Sequence, residues 1–161
     1  MMLAAATAQQ QAHIFVGKWK GSLHWVRPGM APQQFTMRLN VFPLDSIGLY
    51  TWHMQYGDSS MDSRPYILKV QDAALGKWLI DEHNGIVLQA HLLDSCMQSA
   101  FTVMGNTILS NFCVENGKIS VRFFNLQLQQ KTETGMGTSE SPKVDSYSIG
   151  GYQYGLLNKL E

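Results

Sequence analysis

From residue 14 onward, hydrophobic and polar residues alternate with a period of two in stretch after stretch. In FVGKWKGSLHWV, Trp19, Gly21, Leu23 and Trp25 fall on one side, and Lys18, Lys20, Ser22 and His24 on the other. That is the signature of a half-buried strand. FTMRLNVF repeats it with Phe35, Met37, Leu39 and Val41 inward, and IGLYTWHMQY groups Tyr50, Trp52, Met54 and Tyr56 against Thr51, His53 and Gln55. RPYILKV follows, with Pro65 near its start, where a missing backbone donor is tolerated. Further strands are KWLIDE, GIVLQAHLL, MQSAFTVM, TILSNFCVE, KISVRFFNLQL and one near VDSYSIGGYQY. No amphipathic helix separates them. About ten short strands at regular spacing predict an all-β fold, a single antiparallel meander closed as a β-barrel or packed as a sandwich. The barrel occupies residues 14–161, preceded by a flexible or helical segment over 1–13.

The turns test this register. Asn116-Gly117 is the preferred type I′ pair, and it sets Val114 opposite Ile119, Phe112 opposite Val121 and Ser110 opposite Phe123. Gly105-Asn106 suits a type II′ turn, pairing Val103 with Ile108, Phe101 with Ser110 and Ser99 with Phe112. WLIDEHNGIVL, residues 78–88, carries Asp81, Glu82 and His83 in a row, the residue types of an acid–base site. A two-residue Asn84-Gly85 turn would split its apolar residues between two faces. A three-residue loop, His83-Asn84-Gly85 with Gly85 left-handed, pairs Ile80 with Leu88 and Trp78 with Ala90 and restores one face. Asp81 and Glu82 then leave opposite faces of the strand. The stretch reads as a hairpin, not a catalytic constellation.

Charge narrows the function classes. Lys plus Arg and Asp plus Glu are 12 each, and no basic run stands out, which argues against a nucleic-acid surface. No apolar stretch approaches the roughly 20 residues of a membrane span. Ala6-Thr7-Ala8 resembles the end of a signal peptide, but a positive n-region is missing. Export and a cytoplasmic location with an ordinary N-terminus both stay open. The histidines, at 13, 24, 53, 83 and 91, show no HxH or HxxxH spacing, so neither a metal nor a haem cofactor is expected. Cys96 and Cys113 are diagonal neighbours in the register above, ~7 Å apart, which favours two thiols.

The GKW of Gly17-Lys18-Trp19, on the first strand of the meander, resembles the glycine-x-tryptophan signature of lipocalins and the wider calycin group, which includes the fatty-acid-binding proteins. The resemblance implies a barrel with an internal cavity and an apolar ligand. It also implies Trp19 as a plug at one end, against a late-strand Arg for which Arg122 is the candidate. RPGMAPQQ is too short for the helix-turn-helix of fatty-acid-binding proteins, and QKTETGMGTSESPK looks like a loop where lipocalins carry a helix. The chain looks most like a small bacterial calycin-like domain of unassigned role.

Trp25, Tyr50, Trp52, Met54, Tyr56, Tyr66, Phe101 and Phe112 share the inward face and are the candidate lining of a ligand cavity. They equally suit a barrel packed solid. Arg64, on the face of Tyr66, is a candidate for orienting a ligand carboxylate, or a loop-end arginine in solvent. No nucleophile, acid or base grouping emerges, so the reading leans away from an enzyme. It favours non-catalytic binding of a small apolar or amphipathic, lipid-like ligand. Met104, Leu109, Phe124, Leu126 and Leu128 point outward. They form either an interface for a homodimer or interaction module, or the trace of a bulge near Asn125 that reverses parity. Residues 129–143 read as a long loop, a lid or an idle connection.

Overall fold

The computed structural model describes residues 11–58 and 62–161. The Ala6-Thr7-Ala8 stretch lies outside them. Ten strands run in sequence: β1 Gly17–Val26, β2 Gln33–Val41, β3 Leu49–Tyr56, β4 Ser63–Asp72, β5 Lys77–Asp81, β6 Val87–Leu93, β7 Cys96–Val103, β8 Asn106–Glu115, β9 Lys118–Thr134 and β10 Val144–Lys159. Each pairs antiparallel with the next, and β10 returns to β1, closing the barrel. Closure leaves no barrel strand with an open edge along its paired length. The period-two alternation is what permits it. In β1, Trp19 and Leu23 are buried while Lys18 and Lys20 are exposed. Among the described residues, no helix is long and apolar enough to cross a membrane.

Two of the expected turns form as read. Asn116 and Gly117 both take positive φ, and Val114 faces Ile119. His83–Gly85 is a three-residue loop in which Ile80 faces Leu88 and Trp78 faces Ala90. Gly85 is left-handed, and so is His83. The Asp81 carboxylate accepts the His83 N–H at 2.8 Å, and the Asn84 side-chain oxygen accepts the Ile86 N–H at 3.0 Å. These short side chains do turn work.

The β7–β8 turn differs. Its central residues are Met104 and Gly105, both at positive φ, and Val103 faces Asn106. The register is therefore displaced by two residues from the Gly105-Asn106 expectation: Phe101 faces Ile108, Ser99 faces Ser110 and Met97 faces Phe112. A shift of two keeps every side chain on its original face, so hydrophobic patterning cannot detect it. It also brings Cys96 directly opposite Cys113, with Cα atoms 4.0 Å apart, and the two form a disulfide rather than two thiols.

Residues 129–143 are not simply a loop. β9 and β10 extend past the barrel as a two-stranded ribbon, with Lys131 opposite Tyr147 and Thr134 opposite Val144. Ion pairs tie it across, Lys131–Asp145 at 2.6 Å and Lys143–Glu133 at 3.3 Å. Neither side of the ribbon is buried, so its sequence carries no alternation to read.

One end of the barrel is packed. Phe15, from the short 3-10 turn His13–Phe15, is fully buried, and its carbonyl accepts the Trp19 indole N–H at 2.7 Å. The late-strand cation over Trp19 is Lys159 of β10, whose Nζ lies 5.3 Å from the ring centre. Arg122 does not fill that role: it is exposed, opposite Asn111 and Tyr154 on the outer face. The glycine of GKW has a backbone reason. Gly17 sits at φ +142°, which disfavours other residues, and a Cβ there would run into the Lys159 side chain.

Candidate functional site

The other end of the barrel is open, and a cavity of about 1050 Å³ enters it. This is just above the range typical of small-molecule sites, roughly 300–1,000 Å³. An aromatic column leads from the packed end into it. Phe15 meets Trp52 edge-on at 5.6 Å, Trp52 meets Phe112 at 5.2 Å, and Phe112 meets Phe123 at 5.6 Å. Phe15 belongs to the plug, whereas Trp52, Phe112 and Phe123 line the cavity.

Of the residues read as lining, Trp25, Trp52, Met54, Tyr56, Tyr66, Phe101 and Phe112 are on the cavity wall. Tyr50 is not. It is fully buried in the packed half, its ring 6.2 Å from that of Trp78, because it lies deeper along β3 than Trp52. Arg64 stands at the rim with about half its side chain exposed. It donates from Nε to the Asp62 carboxylate at 3.0 Å and lies over the Tyr56 ring at 4.7 Å.

The rim is more charged than the sequence implied. Asp62 and Glu82 both line the opening beside Arg64. Glu82 interacts with the Tyr66 hydroxyl. Burial pushes the Tyr66 phenol up, Glu82 pushes it further, and Arg64 opposes them. Burial pushes Tyr56 well above the usual phenol range, against the pull of Arg64. Burial alone would lower the Arg64 guanidinium, but Tyr56, Asp62 and Tyr66 outweigh it, and the net shift is upward. Arg64 is thus a fixed cation and the tyrosines are fixed neutral hydroxyls. Next to the cavity, Arg27 stacks over Trp25 of β1 at 3.8 Å and donates to Gln33 of β2 at 3.1 Å.

Sequence reasoning missed Glu82 because the hairpin reading drew attention away from its strand. It also missed Ser99, Ser110, Asn125 and Gln153, which line the wall as well. Alternation alone could have flagged them, since each is a polar residue at an inward position.

The outward residues are also placed. Met104 is at a turn tip and almost wholly exposed, and Leu109 and Leu128 are about 40% exposed. Phe124 and Leu126 are half-buried, and Phe124 also borders the cavity. The irregularity near Asn125 is on the partner strand, with Gly150 of β10 as the extra residue, so the alternation of β9 continues through this point. The Phe124 ring packs 4.9 Å from Tyr152, which continues to Tyr154 and His24 in a line of ring contacts.

A closed, ten-stranded antiparallel barrel with an open internal cavity is the class these features define. No protein-family model matches the chain, and no curated protein matches its sequence. Solved structures match in shape. A protein of unknown function of the DUF3598 family from Nostoc punctiforme PCC 73102 has a TM-score of 0.66 and 10% identity over 92% of this chain. This chain spans 48% of that protein, about half its length. Rv2717c from M. tuberculosis gives a TM-score of 0.59 at 10% identity, with 96% of this chain and 98% of that one covered. The S-type phycobiliprotein lyase CPES from Guillardia theta gives 0.57 at 5% identity, covering 98% and 93%. At such identities the likeness is one of fold.

Proposed function

We propose that this protein is a calycin-like binder of a small amphipathic molecule, non-catalytic, with the ligand's apolar part inside the barrel and its polar part at the rim. The observation that carries the reading is the cavity of about 1050 Å³, floored by Trp52 and Phe112 and open at one end. Each ~100 Å² of apolar ligand surface buried there contributes about 2.5 kcal/mol before the entropy of association is subtracted. Tyr66 and Arg64 would orient the polar end from the rim, with the Tyr56 ring beneath Arg64 and its hydroxyl donating to the Met54 sulfur at 3.7 Å.

The test is native mass spectrometry of the purified protein, followed by titration with a fluorescent fatty-acid analogue. Trp25 and Trp52 line the cavity, so a bound fluorophore should quench them by energy transfer. Leu88→Trp, which adds bulk to the wall, should weaken binding at least tenfold, about 1.4 kcal/mol. Undiminished binding by Leu88→Trp would move the ligand out of the barrel. A second reading, self-association through the outward face, draws on exposed Leu109, Leu128, Tyr154 and Leu156. It predicts a dimer in sedimentation experiments that Phe124→Asp dissolves, and a monomer at high concentration would end it.

A further inference from the structure

Two polar side chains, Ser99 and Ser110, are buried among the described residues, each only 6% exposed. Both are on the cavity wall. They face each other across β7 and β8, and their hydroxyl oxygens are 2.6 Å apart. Phe101 and Ile108 form the next pair on one side and Met97 and Phe112 the next pair on the other, so the hydroxyls sit inside an apolar wall. A small apolar residue at either position would pack there with no polar group to satisfy.

A hydroxyl carries one donor and two acceptor sites. The mutual bond uses one donor and one acceptor site of the pair. One O–H and the remaining lone pairs are left for another partner, in surroundings where an unused polar group is unfavourable. The register extends the pattern around the barrel: Ser99 faces Ser110, Ser110 faces Phe123, Phe123 faces Gln153, Gln153 faces Trp25 and Trp25 faces Gln33. All six line the cavity. Neutral hydrogen-bonding groups are thus interleaved with aromatic rings on one wall, while the charged groups Asp62, Arg64 and Glu82 stand at the rim. In addition, the Asn125 side-chain oxygen on the same wall is buried with no donor.

We infer that the Ser99–Ser110 pair is a specificity determinant, selecting a ligand that carries an uncharged oxygen, a hydroxyl or carbonyl, within its apolar body. The inference rests on the cavity being the ligand site. A plain hydrocarbon chain would cover the hydroxyls without bonding to them. An oxygenated chain would accept the free O–H or donate to a free lone pair.

The test compares stearic acid with 9-hydroxystearic and 12-hydroxystearic acid by displacement of a fluorescent fatty-acid analogue. The carboxylate is common to all three, so the rim contribution cancels in the ratio. At least one hydroxylated chain should bind about fivefold more tightly than stearic acid, the worth of one net hydrogen bond. In Ser99→Ala/Ser110→Ala the ratio of hydroxylated to plain chain should fall to about one. Ser110→Cys, close in volume and a weak hydrogen-bonding group, guards against a folding defect and should also reduce the ratio. A ratio of one in the parent protein, or a ratio unchanged in both variants, overturns the inference while leaving the binding site intact. If none of the three acids binds, the ligand-site reading falls with it.

Discussion

Reduction of the Cys96–Cys113 bridge should lower thermal stability by an amount that the loop it closes sets. The two cysteines are 17 residues apart in sequence. Releasing a loop of that length restores chain entropy to the unfolded state worth about 3 kcal/mol at 25 °C. For a chain of this size each 1 kcal/mol moves Tm by roughly 2–4 °C, so the expected drop is about 6–12 °C. The folded barrel should persist, because the same strands stay joined by the β7–β8 ladder and the Met104-Gly105 turn. The assay is a melt followed by circular dichroism with and without dithiothreitol, with Cys96→Ala/Cys113→Ala as the reductant-insensitive control. Mass measurement after alkylation under non-reducing conditions reports the bond itself. If the bridge is present and Tm does not move on reduction, the entropic reasoning is refuted. If oxidatively refolded protein alkylates at both cysteines, the pairing is refuted.

Other consequences follow from single contacts. A Cβ at Gly21 would lie 2.1 Å from the Leu156 carbonyl oxygen, on the backbone of β10. Gly21→Ala should therefore loosen the β1–β10 seam and destabilise by about 2 kcal/mol or more in urea titration. No change would mean that the strands separate easily there. Burial raises the Tyr56 phenol above its ordinary 10.0. The unfolded chain then loses that proton first as pH rises, so stability should be level below about pH 10 and decline above it. Tyr56→Phe should flatten that alkaline decline, and an unaltered slope would assign it to other groups.

Much of the fold was legible because a half-buried strand has one physical demand, that alternate residues face the core. The ten strands follow from it, as does the Asn116-Gly117 turn, whose residues suit positive φ. Register was legible only modulo two. Phe101 keeps its inward face whether it meets Ser110 or Ile108, so the pattern was satisfied by a pairing that hid the disulfide. The β9–β10 ribbon was invisible for the complementary reason: Lys131, Glu133 and Asp145 face solvent, and no burial organises their order.

What the amino-acid sequence by itself determined is direction, meaning which side chains point into the barrel. Tyr50, Trp52, Met54 and Tyr56 all do, as their spacing requires. Tertiary structure decided depth. Phe15 and Trp19 pack one end, so Tyr50 becomes core, Trp52 becomes a floor and Tyr56 stands at a charged rim. Depth depends on how ten tilted strands are staggered around a closed ring and on where the plug enters. Those are properties of the whole barrel, and no single strand's pattern contains them.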